Sequence, residues 1–234
     1  MKNSLKITSL LFLVLLASCT SYGEGERSKN SEPAVAAQPP PQLQSQPRRS
    51  YKSGDIIFQK SLSPQSAALR EATGSEWTHV GILVKKDSKW YVSEEIGPAV
   101  MTPLQTFINR GKDKAYRVYR WKFFDAETQS EALLLAMKKY NKPYDIFFEW
   151  SDDREYCSEF VHKVMLEVTG KQIGKIQAMK ELKTDGPYVH ALVEQRYTKI
   201  GKTLDPNEPI ISPISEMNDP DLTFIEGTPL ANQD

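Results

Sequence analysis

Two cysteines in 234 residues, one of them close behind an apolar leader, leave this chain no disulfide framework to fold around. Cys19 follows Lys2, Lys6, a compact apolar stretch from Ile7 to Ala17, and the tetrad Leu16-Ala17-Ser18-Cys19. The stretch is too short to span a membrane. It reads as a lipoprotein signal peptide, residues 1–18, cut before a cysteine whose thiol then carries a diacylglycerol. Several acyl chains on one residue anchor stably where a single chain is marginal. Cys157 then has no partner within the chain. The fold must rest on a core, and the chain is long enough to bury one.

Residues 20 to 50 are rich in Ser, Gln, Pro, Ala and Glu, centred on Pro39-Pro40-Pro41, without apolar periodicity. With the acylated cysteine, 19–50 reads as a disordered tether. A coil of about 30 residues spans roughly 30 Å root-mean-square. Thr20 is not the aspartate that holds enteric lipoproteins at the inner membrane. The expected location is therefore the bacterial cell envelope, at the outer membrane on its periplasmic side in a Gram-negative cell. Lys+Arg and Asp+Glu both total 30, so bulk charge gives no reason to expect nucleic acid as a partner.

The folded domain is expected over 51–227, with a loose tail at 228–234. Asp55 to Phe58 reads as a buried strand. Ser63 to Thr73 reads as a helix capped by Ser63 with Pro64 in its first turn. Thr78–Val84 and Trp90–Glu94 form a hairpin around the polar turn Lys86-Asp87-Ser88-Lys89. A short helix at Leu104–Arg110, a strand at Ala115–Arg120 and a helix at Ala126–Tyr140 follow. Cys157 to Thr169 is a helix with Phe160, Val161, Val164, Met165 and Val168 on one face and Gly170 as its stop. Beyond 171 the pattern weakens, apart from a short strand near Ile210-Ile211 leading into a helical turn.

Cys157 stands where the charged stretch Trp150–Glu155 turns into a helix. There the positive end of the helix dipole favours the nucleophilic thiolate. His79 lies on a strand beside Gly81, a residue that lets another element approach closely. A lone strand histidine is usually structural, but the hairpin brings Glu94 beside it. A carboxylate there can hold one imidazole nitrogen and leave the other for the thiol. Glu95 points to the opposite face by strand alternation. His162 lies about 140° around the helix from Cys157 and is badly placed as a base. His190 is expected on the surface or in a loop. The acids Asp145, Glu149, Asp152, Asp153 and Glu155 read as a solvated loop. The sharper alternative is a rim that selects a cationic group.

Five segments carry a resemblance: Ser53-Gly54-Asp55-Ile56-Ile57-Phe58, Thr78-His79-Val80-Gly81-Ile82, Glu94-Glu95-Ile96-Gly97-Pro98, Pro143-Tyr144-Asp145 and Tyr156-Cys157-Ser158-Glu159. In this order they resemble the circularly permuted papain-like cysteine hydrolases of the YiiX/YebB type, the YaeF/YiiX amidases. These are relatives of the NlpC peptidoglycan peptidases and of lecithin:retinol acyltransferase. In unpermuted relatives the cysteine helix precedes the histidine strand; here it follows. The segment from Ile211-Ser212-Pro213 to Phe224-Ile225 is similar to that family's ending. The resemblance implies an α+β fold, an antiparallel sheet packed against helices. It implies Cys157 as nucleophile, His79 as general base and Glu94 as the orienting third residue, with no cofactor. The implied chemistry is attack on an amide or ester carbonyl and an acyl-thioester intermediate. The backbone N–H of Cys157 is a natural oxyanion donor, and Tyr144 and Tyr156 are candidates for a hydroxyl donor or pocket wall.

The leading expectation is a cysteine amidase or peptidase acting on peptidoglycan-type or other peptides, lipid-anchored at the membrane. The alternatives are a lipid-directed acyl hydrolase or acyltransferase, with Trp77, Phe147, Phe148 and Trp150 as an acyl pocket, and a non-catalytic envelope binding module. A zinc site from His79, Glu94 and Cys157 has no CxxC or HxxxH spacing behind it, so no metal is expected.

Overall fold

A computed structural model describes residues 50–229. The signal peptide, Cys19 and nearly all of the tether and tail lie outside the described residues. Among the described residues no helix is long and apolar enough to cross a membrane.

Six antiparallel strands make the sheet. In chain order they are β1 (Ile56–Gln59), β2 (His79–Lys86), β3 (Lys89–Glu95), β4 (Ala99–Pro103), β5 (Tyr116–Trp121) and β8 (Leu222–Gly227), arranged β4-β3-β2-β1-β5-β8. Two short strands, β6 (Gln177–Ala178) and β7 (Pro209–Ile210), pair separately. The helices are α1 (Ser66–Thr73), α2 (Leu104–Arg110), α3 (Ser130–Lys139), α4 (Cys157–Thr169), α5 (Pro187–Arg196) and α6 (Pro213–Met217).

The central strands are covered on both faces, which is why β1 reads as unbroken apolar sequence. Ile56 and Phe58 join Val80, Ile82 and the α4 residues Phe160, Val161, Val164 and Met165 in one core. Ile57 joins Leu83, Val92, Val118 and the α2 residue Phe107 in a second, on the other face. Each fully buried α4 side chain is worth on the order of 1.5–3 kcal/mol. Helix α4 ends at Gly170, whose φ of 67° is the left-handed conformation that closes a helix.

Several elements depart from the sequence reading. Helix α1 begins at Ser66, because Ser63 to Gln65 form a turn in which the Ser66 N–H bonds the Ser63 carbonyl. Residues 126–129 turn before α3 in the same way. The unpredicted β4, α5 and β8 lack a clean apolar period: β4 exposes Val100 and Met101 at the sheet edge, and α5 buries only Val189. His190 is exposed on α5.

Candidate active site

Cys157 is the first residue of α4, and its two neighbours are pinned to one point. The Tyr156 hydroxyl accepts the Ile211 N–H at 3.1 Å, and the Ser158 hydroxyl donates to the Ile211 carbonyl at 3.0 Å. The preceding loop is closed at its base: the Asp145 N–H bonds the Glu155 carbonyl at 2.8 Å and the Glu155 N–H bonds the Pro143 carbonyl at 3.1 Å. The N-cap residue Tyr156 makes no side-chain cap bond, and the first turn carries one acid, Glu159. Cys157, as the first helical residue, shares the positive end of the dipole with it.

His79, the first residue of β2, meets this thiol. Its Nε2 lies 2.6 Å from Glu94 Oε2 on β3. Burial opposes a charge on His79, but side-chain hydrogen bonds with Cys157 and Glu94 outweigh it and push the imidazole up to about 9. Phe107 stacks beneath the ring, with centroids 5.7 Å apart and planes at 27°. Gln59 pairs with His79 across β1 and β2, and its side-chain amide donates to the Phe107 carbonyl. Gly111 makes room, since a Cβ there would stand 2.8 Å from Gln59 Cγ.

Glu94, fully buried, is shared between two cations. Arg110, the last residue of α2, bonds the same Oε2 that faces His79. Burial alone would raise Glu94; His79, Arg110 and Thr102 pull it below the ordinary carboxylate range. Glu95 turns away from the imidazole. Its Oε1 accepts the Gly97 N–H at 2.9 Å, its Oε2 is buried without a hydrogen-bond partner, and burial holds it up to about 7.

A cleft of about 530 Å³ opens onto His79, walled by Glu95, Arg110, Tyr144, Arg196 and the turn Ser61–Gln65. Tyr144 stands in that wall. Tyr156 does not: it is buried against Phe148, behind the helix. The aromatic residues considered for an acyl pocket are also occupied elsewhere. Trp77 lies in the main core, Phe147 packs on Tyr197, and Trp150 packs on His162. His162 gives Nδ1 to the Ile173 carbonyl at 2.8 Å and is structural.

The acidic loop is only partly solvated. Asp145 and Glu155 are buried. Asp145 Oδ1 accepts the Phe147 N–H at 2.8 Å, and its Oδ2 accepts the Glu149 N–H at 2.5 Å. Glu155 and Glu159 surround the Lys163 ammonium at 3.8 and 2.9 Å. Burial raises Glu155 to about 8 and Glu159 to about 7. Among the described residues no three His, Cys, Asp or Glu side chains group as a metal site.

A thiol at a helix N-terminus, a strand imidazole and a carboxylate behind it define the papain-like class of site. Residues 50–225 match the family described as permuted papain-like amidase, YaeF/YiiX, C92, and the chain belongs to it: it is a member of a family of amide-bond hydrolases. The chain is 37% identical over 226 residues to the uncharacterized protein YiiX of Escherichia coli K12, covering 96% of each. It also superposes on the crystal structure of YiiX from Escherichia coli O157:H7, described as a metalloprotein, with a TM-score of 0.71 and 40% identity. That match covers 76% of this chain and 97% of the other.

Sequence reasoning missed Arg110, Phe107, Gln59, Gln65 and Arg196. Arg110 carried one signal, a basic residue in a helix's last turn, but the helix dipole already accounts for that. Gln59, Gln65 and Arg196 reach the cleft, and Phe107 the imidazole, from elements remote in sequence, and no local pattern marks them.

Proposed function

We propose that the chain is a cysteine amidase or peptidase of the cell envelope, with Cys157 as nucleophile, His79 as acid and base, and Glu94 as the orienting carboxylate. The observation that carries this reading is His79 bonded to Glu94 at 2.6 Å, with its imidazole raised by the Cys157 thiol at the start of α4.

In this mechanism the sulfur attacks the amide carbonyl carbon and the π pair moves to oxygen, where the Cys157 N–H stabilises it. The tetrahedral species collapses as His79 protonates the leaving amine, giving an acyl-thioester. Neutral His79 then takes a proton from water, and the hydroxide releases the acid. Glu94 holds Nε2, so Nδ1 is the nitrogen that serves the thiol. Arg110 keeps Glu94 ionised when His79 is neutral. Peptidoglycan-type peptides are the leading substrate class. Acylation of Cys19 would hold the enzyme at the membrane that faces them.

A lipid-directed acyl hydrolase or transferase is the second reading. Three aliphatic side chains in the cleft wall are solvent-exposed: Leu62 by 65%, Ile96 by 50% and Ile146 by 39%. Large exposed aliphatics clustered at a cleft mark a surface for an apolar group. Chemistry through a metal is not part of the proposal. His79 Nε2 is committed to Glu94, and the Arg110 guanidinium occupies the place beside that carboxylate where a cation would sit.

The test is alkylation of Cys157 by iodoacetamide across pH, followed by a screen of peptide amides and acyl esters. Cys157→Ala is expected to abolish turnover while leaving the fold intact. His79→Ala is expected to slow alkylation near pH 6 by at least about tenfold, the imidazolium being what favours the thiolate. Full activity in Cys157→Ala on a genuine substrate would discard the mechanism.

A further inference from the structure

Arg196, the last residue of α5, approaches the cleft from an element with no part in the chemistry described above. Its Nη1 donates to the Ile146 carbonyl and its Nη2 to Gln65 Oε1, both at 2.8 Å. A guanidinium only donates, so the amide oxygen of Gln65 must face it and the amide nitrogen must face away. That nitrogen donates to the Tyr144 hydroxyl oxygen at 2.5 Å. A phenol has a single proton. With Gln65 as the donor in this bond, the proton of Tyr144 is directed elsewhere, and Tyr144 stands in the wall of the cleft with His79.

Two further observations fix the phenol there. Its Cβ packs against Gly97, where an added Cβ would come within 2.9 Å of it. Burial first, and the charge of Cys157 second, raise Tyr144 above the ordinary phenol value.

We propose that Arg196 and Gln65 form a positioning relay that sets the direction of the hydrogen bond to Tyr144 and leaves its O–H as a donor to the oxyanion formed on Cys157. The proposal rests on the thiol mechanism above. When the sulfur bonds the carbonyl carbon, the π pair moves to oxygen, and that oxygen accepts from the Cys157 N–H and the Tyr144 O–H without taking either proton. The pair then returns and expels the leaving group. Were Gln65 turned over, Tyr144 would donate to the amide oxygen and the oxyanion would lose one donor.

The decisive variant is Gln65→Glu in the full chain. The new carboxylate has nearly the same shape and keeps a partner for Arg196, but it can only accept, so Tyr144 must donate to it. A merely structural relay would tolerate this change, since the pair with Arg196 becomes charged on both sides. Acylation of Cys157 by p-nitrophenyl acetate is followed by p-nitrophenolate release and intact mass. Alkylation by iodoacetamide, which develops no oxyanion, is followed in parallel. Gln65→Glu and Tyr144→Phe are each expected to slow acylation about 100-fold, the loss typical of one oxyanion donor. The double variant should be no slower, and alkylation should stay at the wild-type rate in all three. Acylation near the wild-type rate in Gln65→Glu, with alkylation retained, would overturn the relay. Equal losses in acylation and alkylation would also overturn it, as they would place Gln65 in the fold. Failure of the underlying mechanism appears separately, as slow alkylation in the wild type below about pH 8.5, and it would remove the relay with it.

Discussion

Gly81 is where the sheet and the candidate site are most tightly joined. A Cβ added there would lie 2.5 Å from Val92 Cγ1, 2.8 Å from the Ser93 carbonyl oxygen and 3.3 Å from Glu94 Cβ. Val92 is fully buried and stiff at χ1, and a backbone carbonyl cannot turn aside. Relieving the Ser93 contact from 2.8 to 3.4 Å asks β2 and β3 to part locally by about 0.6 Å. The His79–Glu94 bond crosses the same two strands at 2.6 Å. The same shift would carry it toward about 3.2 Å, the edge of a good hydrogen bond. Overpacking of this kind costs about 1–3 kcal/mol. For a domain of this size that corresponds to a fall of about 2–12 °C in melting temperature. A sub-ångström displacement of a positioned group also costs about tenfold or more in rate. Gly81→Ala is therefore expected to lower the thermal midpoint and to slow alkylation of Cys157 near neutral pH. A midpoint within 1 °C of wild type would refute the packing argument. A lower midpoint with unchanged alkylation would show that Gly81 serves the sheet and not the histidine–carboxylate pair.

Three further outcomes are expected. Glu94→Gln should reduce turnover less than His79→Ala and more than Glu95→Gln; a larger loss at Glu95 would mean that the wrong carboxylate had been assigned. Glu95 and Glu159 are held up to about 7 and Glu155 to about 8, against an ordinary 4.5. Groups raised in the folded chain stabilise fully below their unfolded value, and that contribution is lost as pH rises through the folded one. Melting should accordingly be higher at pH 5.5 than at pH 8.5, and His79, raised to about 9, acts in the same direction. Glu155→Gln should narrow the gap between the midpoints at pH 5.5 and pH 8.5, since an amide does not titrate; an equal midpoint at both pH values in the wild type would contradict the burial argument. Cys19→Ala should move the protein from the membrane fraction to the soluble one, and unchanged retention would count against acylation.

The hairpin was legible because alternation, a polar turn and β-branched residues coincide over 78–94, and a period of two places His79 and Glu94 on one face and Glu95 on the other. Helix α4 was legible to the residue, because the apolar stripe, the charged stretch before it and Gly170 after it agree. The opposite holds for the acidic loop. Composition marks Asp145 and Glu155 as solvated, yet both are buried: Asp145 caps its own loop and Glu155 faces Lys163. Burial of a carboxyl is decided by partners one helical turn or a whole loop away, and a linear pattern does not record it. Arg110 shows the same limit at the site itself, since only the packing of α2 under the sheet brings it to Glu94.

The order of these elements along the chain matters less than what holds the helix N-terminus in place. His79 and Glu94 lie on neighbouring strands that would pair in either order, but Cys157 needs a socket. That socket comes from chain that follows the helix. Tyr156 and Ser158 both bond Ile211, and α6 lays the fully buried Glu216 against Gly174, just past the helix end. With the cysteine helix placed after the histidine strand, the segment from Ile211 to Met217 returns to α4 and helps to aim the thiol. The segment from Ile211 to Met217 then supports the site although it contributes nothing to the reacting groups. Weakening it at Ile211 or Ser158 would misdirect Cys157 while leaving the histidine–carboxylate pair intact.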